Sequence, residues 1–189
     1  MNIFKIFSAI FFLALISPGC KNDDPPCDYS NSEFQTLYQS LISSGYTDAT
    51  SYDTEIHEYT FTLSENKEVC EIGYQSQPGI KSTPYIIEIS DDQANSLIYS
   101  DSHVFSSNET SYVEPTSPIF LQAGISYTIR RIQTHWDGNI GNVIGRLARK
   151  DSMNFPYTNG IVTITGANFY QNGGPLVDMG IPYIDLIFK

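Results

Sequence analysis

Apolar residues recur at helical spacing in one early segment of the chain. Ser32 opens this segment, and Gln35 follows three residues later, which is the spacing of a capping box at a helix start. Gly45 ends the segment, as glycine commonly does at the C-terminus of a helix. The pattern predicts a short amphipathic helix over residues 33–43 that packs its apolar stripe against a core. This stripe consists of Phe34, Leu37, Tyr38, Leu41 and Ile42.

From residue 54 onward, apolar and polar residues alternate with the period of strands that bury one face. Turn-forming residues separate the alternating runs. We therefore expect an all-β fold, an antiparallel β-sandwich (jelly-roll-like) with one short N-terminal amphipathic helix, formed by residues 32–189 as one domain. The predicted strands cover residues 56–63, 69–74, 84–90, 96–100, 103–106, 119–121, 125–133, 161–165 and 184–188.

Residues 1–19 have the pattern of a signal peptide. Lys5 supplies a positive charge, and the apolar run over residues 6–16 is shorter than the ~20 residues that span a bilayer. Small residues then precede Cys20, which resembles a lipobox and predicts lipidation of Cys20. Ser17 stands where a lipobox usually has leucine, and Pro18 is also unusual. Cleavage after Gly19 without lipidation and a retained membrane anchor are the alternatives.

Residues 20–31 form an acidic, proline-containing linker that resembles the export signals of lipoproteins displayed on the outer membrane surface. We expect an outer-membrane location with the domain outside the cell, and periplasm-facing attachment or a plain solvated tether as the alternatives. If Cys20 carries lipid, Cys27 and Cys70 remain. An exported protein can pair these two as a disulfide, and two unpaired thiols are the alternative.

The formal net charge of −11 argues against a nucleic acid partner. Nucleic acid phosphates would be repelled, so we expect no nucleic acid partner, and the membrane contact should be the lipid anchor alone. Solubility is the simplest explanation of the acidity. Motifs for catalysis are absent: the three histidines lack the spacing of a zinc site, and neither a serine nucleophile elbow nor a P-loop occurs. We therefore predict no catalytic residues and no cofactor.

Two stretches interrupt the β pattern, residues 135–145 and 168–174, and both are rich in Gly and Asn. We expect long loops here, where binding residues usually lie. Sugar binding needs an aromatic face beside groups that hydrogen-bond to hydroxyls. The residue types that fit are His135, Trp136, Asp137, Asn139 and Asn142 in the first stretch, and Tyr170 and Asn172 in the second. The alternative for Trp136 is a plug at the end of the sandwich. Asp137, Asn139 and Asn142 also form a weak candidate for calcium.

Several phrases of the sequence resemble a β-sandwich domain of unknown function found in bacterial cell-surface proteins and lipoproteins. They lie at residues 58–61, 72–76, 99–106, 121–129 and 180–188, and the resemblance covers residues 54–189. It implies a surface module without catalytic activity. The prediction is therefore a membrane-anchored lipoprotein that binds a glycan or another surface protein. A polysaccharide hydrolase of the cell envelope and a structural part of a surface assembly are the alternatives.

Overall fold

A computed structural model describes residues 27, 32–52, 54–76, 78–80, 82–138, 144–171 and 174–189. The predicted signal peptide, Cys20 and the linker except Cys27 lie outside the described residues, as do Asn139, Asn142 and Asn172. Within the described part, no helix has the length and apolar character that crossing a membrane requires.

Helix α1 (Glu33–Ser43) confirms the prediction from the apolar spacing. The hydroxyl of Ser32 caps its N-terminus by accepting a hydrogen bond of 3.1 Å from the backbone N–H of Gln35. Gly45 follows the last turn with a φ of 88°, a left-handed conformation that glycine adopts without strain. Phe34, Leu37, Tyr38 and Leu41 of the predicted stripe are buried.

The described residues form strands along the rest of the chain, and they pair antiparallel throughout. The strands are β1 (Thr47–Tyr52), β2 (Ile56–Leu63), β3 (Lys67–Tyr74), β4 (Tyr85–Asp91), β5 (Ser96–His103), β6 (Ser111–Val113), β7 (Ile119–Leu121), β8 (Ser126–Gln133), β9 (Ile144–Arg149), β10 (Tyr157–Asn159), β11 (Val162–Gln171), β12 (Gly174–Val177), β13 (Ile181–Pro182) and β14 (Asp185–Phe188).

These strands build three sheets in the described part of the chain. The largest has the order β10-β11-β2-β8-β4-β5, with β12 paired to β11. A second sheet has the order β14-β3-β6, with β7 also paired to β3, and a third has the order β1-β9-β13. Packing of these antiparallel sheets around one core confirms the predicted all-β sandwich with a short helix.

Aromatic side chains hold the layers together. The ring of Phe34 in α1 stacks on Tyr59 of the large sheet with centroids 5.3 Å apart. Tyr59 also donates a hydrogen bond of 2.8 Å to the carbonyl of Ile184, next to β14. Tyr74 of β3 meets Tyr85 of β4 edge-on at 5.1 Å. One face of the large sheet is therefore covered by α1 and the second sheet.

Cys27 and Cys70 form a disulfide with their Cα atoms 5.9 Å apart, as predicted from the cysteine count. Cys70 lies in β3, so the bond fastens the chain ahead of α1 to the second sheet. Forty-three residues separate the two cysteines, and closing a chain segment of this length restricts the unfolded state.

The fold differs from the sequence expectation at several places. Residues 168–171 belong to β11, and Gln171 pairs with Gly174 of β12, so this part of the expected second loop is a strand. Their side chains alternate across the sheet despite Asn168, because β2 and β12 pair with this segment on its two sides. Residues 96–103 form one continuous strand, β5, whereas the predicted pieces were 96–100 and 103–106, and residues 104–106 are not in a strand.

Candidate functional site

One face of the large sheet points away from the core, and we call it the outer face. Tyr59 of β2 and Ile129 of β8 are buried in the core. Because side chains alternate along a strand, their neighbours Glu58 and Arg130 point to the opposite face. The same alternation places Glu88 of β4 there, next to buried Ile87 and Ile89.

Charged and polar residues form a row across five neighbouring strands of the outer face, which we call the charged row. Arg130 is the centre of this row, and it lies opposite Glu58 on one side and Glu88 on the other. Five strands at 4.7–4.9 Å spacing extend over roughly 19 Å. In register order the row is Ser100, Glu88, Arg130, Glu58 and Asn168.

Glu58 organises this row through three hydrogen bonds. The Nε of Arg130 donates to its Oε2 at 2.6 Å, while the side-chain amide of Asn168 and the hydroxyl of Tyr170 donate to its Oε1 at 2.8 and 2.9 Å. The Glu58 side chain is only 5% exposed, whereas that of Arg130 is 39% exposed. A buried carboxylate thus holds a guanidinium that remains accessible from outside.

Arg130 and Tyr170 keep their protonation states near neutral pH. The hydrogen bond to Glu58 raises the pKa of Arg130 above its usual value, so the guanidinium is always protonated. Burial raises the pKa of Tyr170, and the hydrogen bond to Glu58 raises it further. Tyr170 therefore stays protonated, and its hydroxyl donates a hydrogen bond to Glu58.

An apolar row runs beside the charged row. Ile132 of β8 lies opposite Ile86 on one side and Ile56 on the other, and Ile56 in turn lies opposite Tyr170. All four side chains are half-buried. On the other side of the charged row, the hydroxyls of Thr60 and Thr128 are 2.9 Å apart. The outer face thus presents an apolar strip, a charged strip and a hydroxyl strip in parallel.

The predicted loop residues divide between buried and exposed positions. Trp136 is only 8% exposed, in a short 3-10 turn (Trp136–Gly138) that follows β8. His135 and Asp137 are exposed, and His135 has a φ of 57°. Of the candidates in the second stretch, Tyr170 lies on the outer face and hydrogen-bonds to Glu58.

Both predicted stretches begin at the same end of the large sheet. Residue 134 follows the end of β8, and β11 ends at Gln171. Strand β2 lies between them, with Ile56 paired to Ile132 on β8 and to Tyr170 on β11. The apolar row therefore lies at the end of the sheet where the first stretch begins and includes Tyr170 of the second stretch.

Sequence reasoning did not single out Glu58, Glu88, Arg130 and Asn168 as site residues. The sequence did contain a signal for Glu58, because strand alternation places its side chain on the face opposite to that of Tyr59 and Phe61. The pairing of Glu58 with Arg130 was not readable, because strand neighbours and register come only from the fold.

Arg131 has a different role from its neighbour. It is fully buried in the core, with its guanidinium carbon 5.4 Å from the ring centroid of Tyr74 and 5.1 Å from that of Tyr85. A cation over two aromatic faces is a favourable arrangement where water is excluded. The side chain of Arg130 thus lies on the outer face of the sheet, and that of its neighbour Arg131 lies in the core.

Among the described residues, no group of three or more His, Cys, Asp or Glu side chains is placed to hold a metal ion. Asn139 and Asn142 of the weak calcium candidate lie outside the described residues, and Asp137 is exposed.

No protein-family model matches this chain, and a search of curated proteins finds no similar sequence. The resemblance to a β-sandwich domain of cell-surface lipoproteins therefore stays a prediction.

Proposed function

We propose that the chain is a surface lipoprotein, anchored to the outer membrane through lipid on Cys20, whose β-sandwich binds a glycan without transforming it. The outer face of the large sheet is the binding surface. The observation that carries this proposal is the row Glu88–Arg130–Glu58–Asn168 flanked by the apolar row that includes Tyr170.

The chemistry of this face suits a sugar. Glycans combine hydroxyl groups with apolar C–H faces, so they need polar partners and a flat apolar surface side by side. Arg130 and Glu88 offer a donor and an acceptor within the charged row, and Tyr170 with the isoleucines offers the apolar surface. Glu58 holds Arg130 and Asn168 of the charged row and Tyr170 of the apolar row by hydrogen bonds. This part of the face is therefore rigid, and little conformational entropy is lost on binding.

Hydrolysis of a glycosidic bond is the competing activity. It requires two carboxyl groups that act as an acid and a base or a nucleophile. Glu58 and Glu88 are the two carboxylates of the row, with Arg130 between them. Both oxygens of Glu58 already accept hydrogen bonds, and its side chain is 5% exposed. This arrangement favours a positioning role for Glu58 and supports binding over hydrolysis.

Anchoring is tested through Cys20. The wild-type protein should partition with membranes and carry a lipid-modified N-terminus, whereas Cys20→Ala should yield protein that is soluble without detergent. Intact-mass spectrometry of protein purified from native membranes gives the readout. An unmodified N-terminal mass would rule out lipidation.

Binding is tested on a glycan array with Arg130→Gln as the site variant and Arg146→Gln as its matched control. Arg146 also pairs with a carboxylate, with its Nε 2.9 Å from Asp48, and is exposed to a similar degree. We expect Arg130→Gln to lose retention and Arg146→Gln to keep it. Release of reducing ends from a retained polysaccharide would instead support the hydrolase, and retention that survives Arg130→Gln would refute the outer face as the site.

A further inference from the structure

A cavity lies at the end of the outer face, beside the turn between β4 and β5. Its volume is ≈ 220 Å³. Arg130 connects it to the charged row, so the cavity is part of the surface proposed above to bind a glycan. The lining residues are Ser90, Asp91, Asp92, Asn95, Ser96, Leu97, Thr128 and Arg130.

Arg130 brings hydrogen-bond donors to this cavity. Its Nε donates to Glu58, and its two terminal nitrogens make no hydrogen bond to the described residues. Each terminal nitrogen of a guanidinium carries two N–H groups. These donors are therefore available to an acceptor that comes from outside the chain.

Asp92 brings an acceptor. Its Oδ2 accepts hydrogen bonds from the hydroxyls of Ser126 at 2.8 Å and Thr128 at 3.0 Å. Within the described part of the chain, no donor is bound to its Oδ1. The two hydroxyls fix the carboxylate on the sheet and leave one oxygen for a ligand. Leu97 is 55% exposed and adds an apolar wall to the same cavity.

The balance of charge decides which ligand fits. Arg130 is the only cation among the lining residues, while Asp91 and Asp92 line the cavity and Glu58 is bound to Arg130. An anionic ligand would meet more negative than positive charge, on a chain with a net charge of −11. A hydroxyl both donates and accepts, whereas a carboxylate only accepts.

We infer that this cavity binds a pair of neighbouring hydroxyl groups of a neutral sugar and discriminates against acidic sugars. One hydroxyl accepts from a terminal nitrogen of Arg130, and its neighbour donates to Oδ1 of Asp92. The C–H face of the ring lies against Leu97. This inference rests on the proposed function and adds the class of sugar.

The test uses a matched pair of probes, the methyl glycoside of a neutral hexose and that of the uronic acid with the same ring configuration. Calorimetry with the full protein purified from membranes in detergent measures both. We expect the uronate to bind at least about tenfold more weakly, which corresponds to about 1.4 kcal/mol or more, because it places a like charge at this site. Raising the salt concentration should narrow the difference, because surface charges are screened.

Asp92→Asn removes the charge and keeps an acceptor oxygen. It should raise the affinity for the uronate relative to that for the neutral probe by about tenfold, because the like charge is removed. Asp151→Asn, at an exposed aspartate outside the cavity, is the control and should change neither value. Arg130→Gln should weaken the neutral probe by roughly tenfold to a hundredfold, because a hydrogen bond to a charged donor is lost.

The outcomes separate the two proposals. The inference is overturned if the uronate binds as tightly as the neutral probe, or if Asp92→Asn leaves the ratio of the two affinities unchanged. In either case, sugar binding that depends on Arg130 would still support the proposed function. Binding of neither probe, nor of any glycan on the array, would overturn both.

Discussion

The hydroxyl of Ser32 donates a hydrogen bond to the carboxylate of Asp185, 153 residues later in the chain. Ser32 caps helix α1, and Asp185 begins the last strand. Asp185 is fully buried, and it also accepts from the side-chain amide of Gln35 at 2.7 Å and the hydroxyl of Tyr112 at 2.9 Å. One carboxylate therefore joins the N-terminus of the helix to the second sheet.

Removing this carboxylate should destabilise the protein strongly. Asp185→Ala removes the buried acceptor that Ser32, Gln35 and Tyr112 share, so we expect a loss of about 3–5 kcal/mol in the free energy of unfolding. Asp185→Asn keeps the volume and should lose about 2 kcal/mol. Urea titration followed by far-ultraviolet circular dichroism measures both.

A double-mutant cycle with Ser32→Ala identifies the contact that is responsible. Ser32→Ala alone should cost about 1–2 kcal/mol, because the helix also loses its N-cap. The two substitutions should couple by about 1 kcal/mol, since the residues are in direct contact. Additive effects would show that Ser32 acts on the helix alone.

The second prediction concerns the disulfide between Cys27 and Cys70. Replacing both cysteines with serine should lower the free energy of unfolding by about 4 kcal/mol in the chain-entropy model, for the observed separation of 43 residues. Thermal melts of the oxidised wild type and the double variant measure the difference. Adding reductant to the wild type should reproduce the melt of the variant. Free-thiol labelling of both cysteines in the exported protein would contradict the bond.

Much of the β architecture was readable from the sequence because the relevant pattern is local. In β2, the core positions Tyr59, Phe61 and Leu63 alternate with polar residues, and the predicted strand has the observed bounds. Strands β1 and β9 were not predicted. Their sequences, TDATSY and IGRLAR, show no apolar alternation, and they form strands because they pair with each other.

The site was less readable because it depends on distant pairs. Arg130 and Glu58 are separated by 72 positions in the sequence, and nothing local indicates that β8 pairs with β2 in the register that joins them. Tyr170 was selected for its residue type, and its hydrogen bond to Glu58 required the fold. We expected the binding residues in loops because two stretches depart from the β pattern, whereas the charged row lies on regular strands.

The third prediction concerns acid sensitivity. His57 is buried, and burial, followed by the nearby charge of Arg131, lowers its pKa well below the usual 6.5. In the folded state it therefore stays neutral, while in the unfolded chain it takes up a proton below about pH 6.5. The unfolded state binds more protons in this window, so stability should fall as the pH drops below 6.5, by at most about 1.4 kcal/mol per pH unit for this group.

The role of His57 is tested by comparing how steeply the free energy of unfolding depends on pH in the wild type and in a variant without this histidine. His57→Leu should flatten the dependence of unfolding free energy on pH between about 6.5 and 5, whatever its effect on absolute stability. Burial also lowers the pKa of His103, with Asp101 opposing the shift, so part of the slope should remain. An identical slope in His57→Leu would refute the assignment.

The last prediction separates the two roles open to Trp136. The side chain is 8% exposed in the turn after β8, so it lacks the open aromatic face that stacking on a sugar requires. Trp136→Ala should therefore cost roughly 3–5 kcal/mol of stability, as truncation of a buried aromatic residue does. Below its melting temperature, the variant should retain glycans as the wild type does, because the charged row lies on other residues.

Tyr170→Ala should show the reverse pattern, with a smaller loss of stability and a clear loss of retention, because Tyr170 is half-buried on the outer face. Urea titration and the glycan array measure the two quantities on the same preparations. Loss of retention in Trp136→Ala with unchanged stability would move the binding site from the sheet to the loop that contains Trp136.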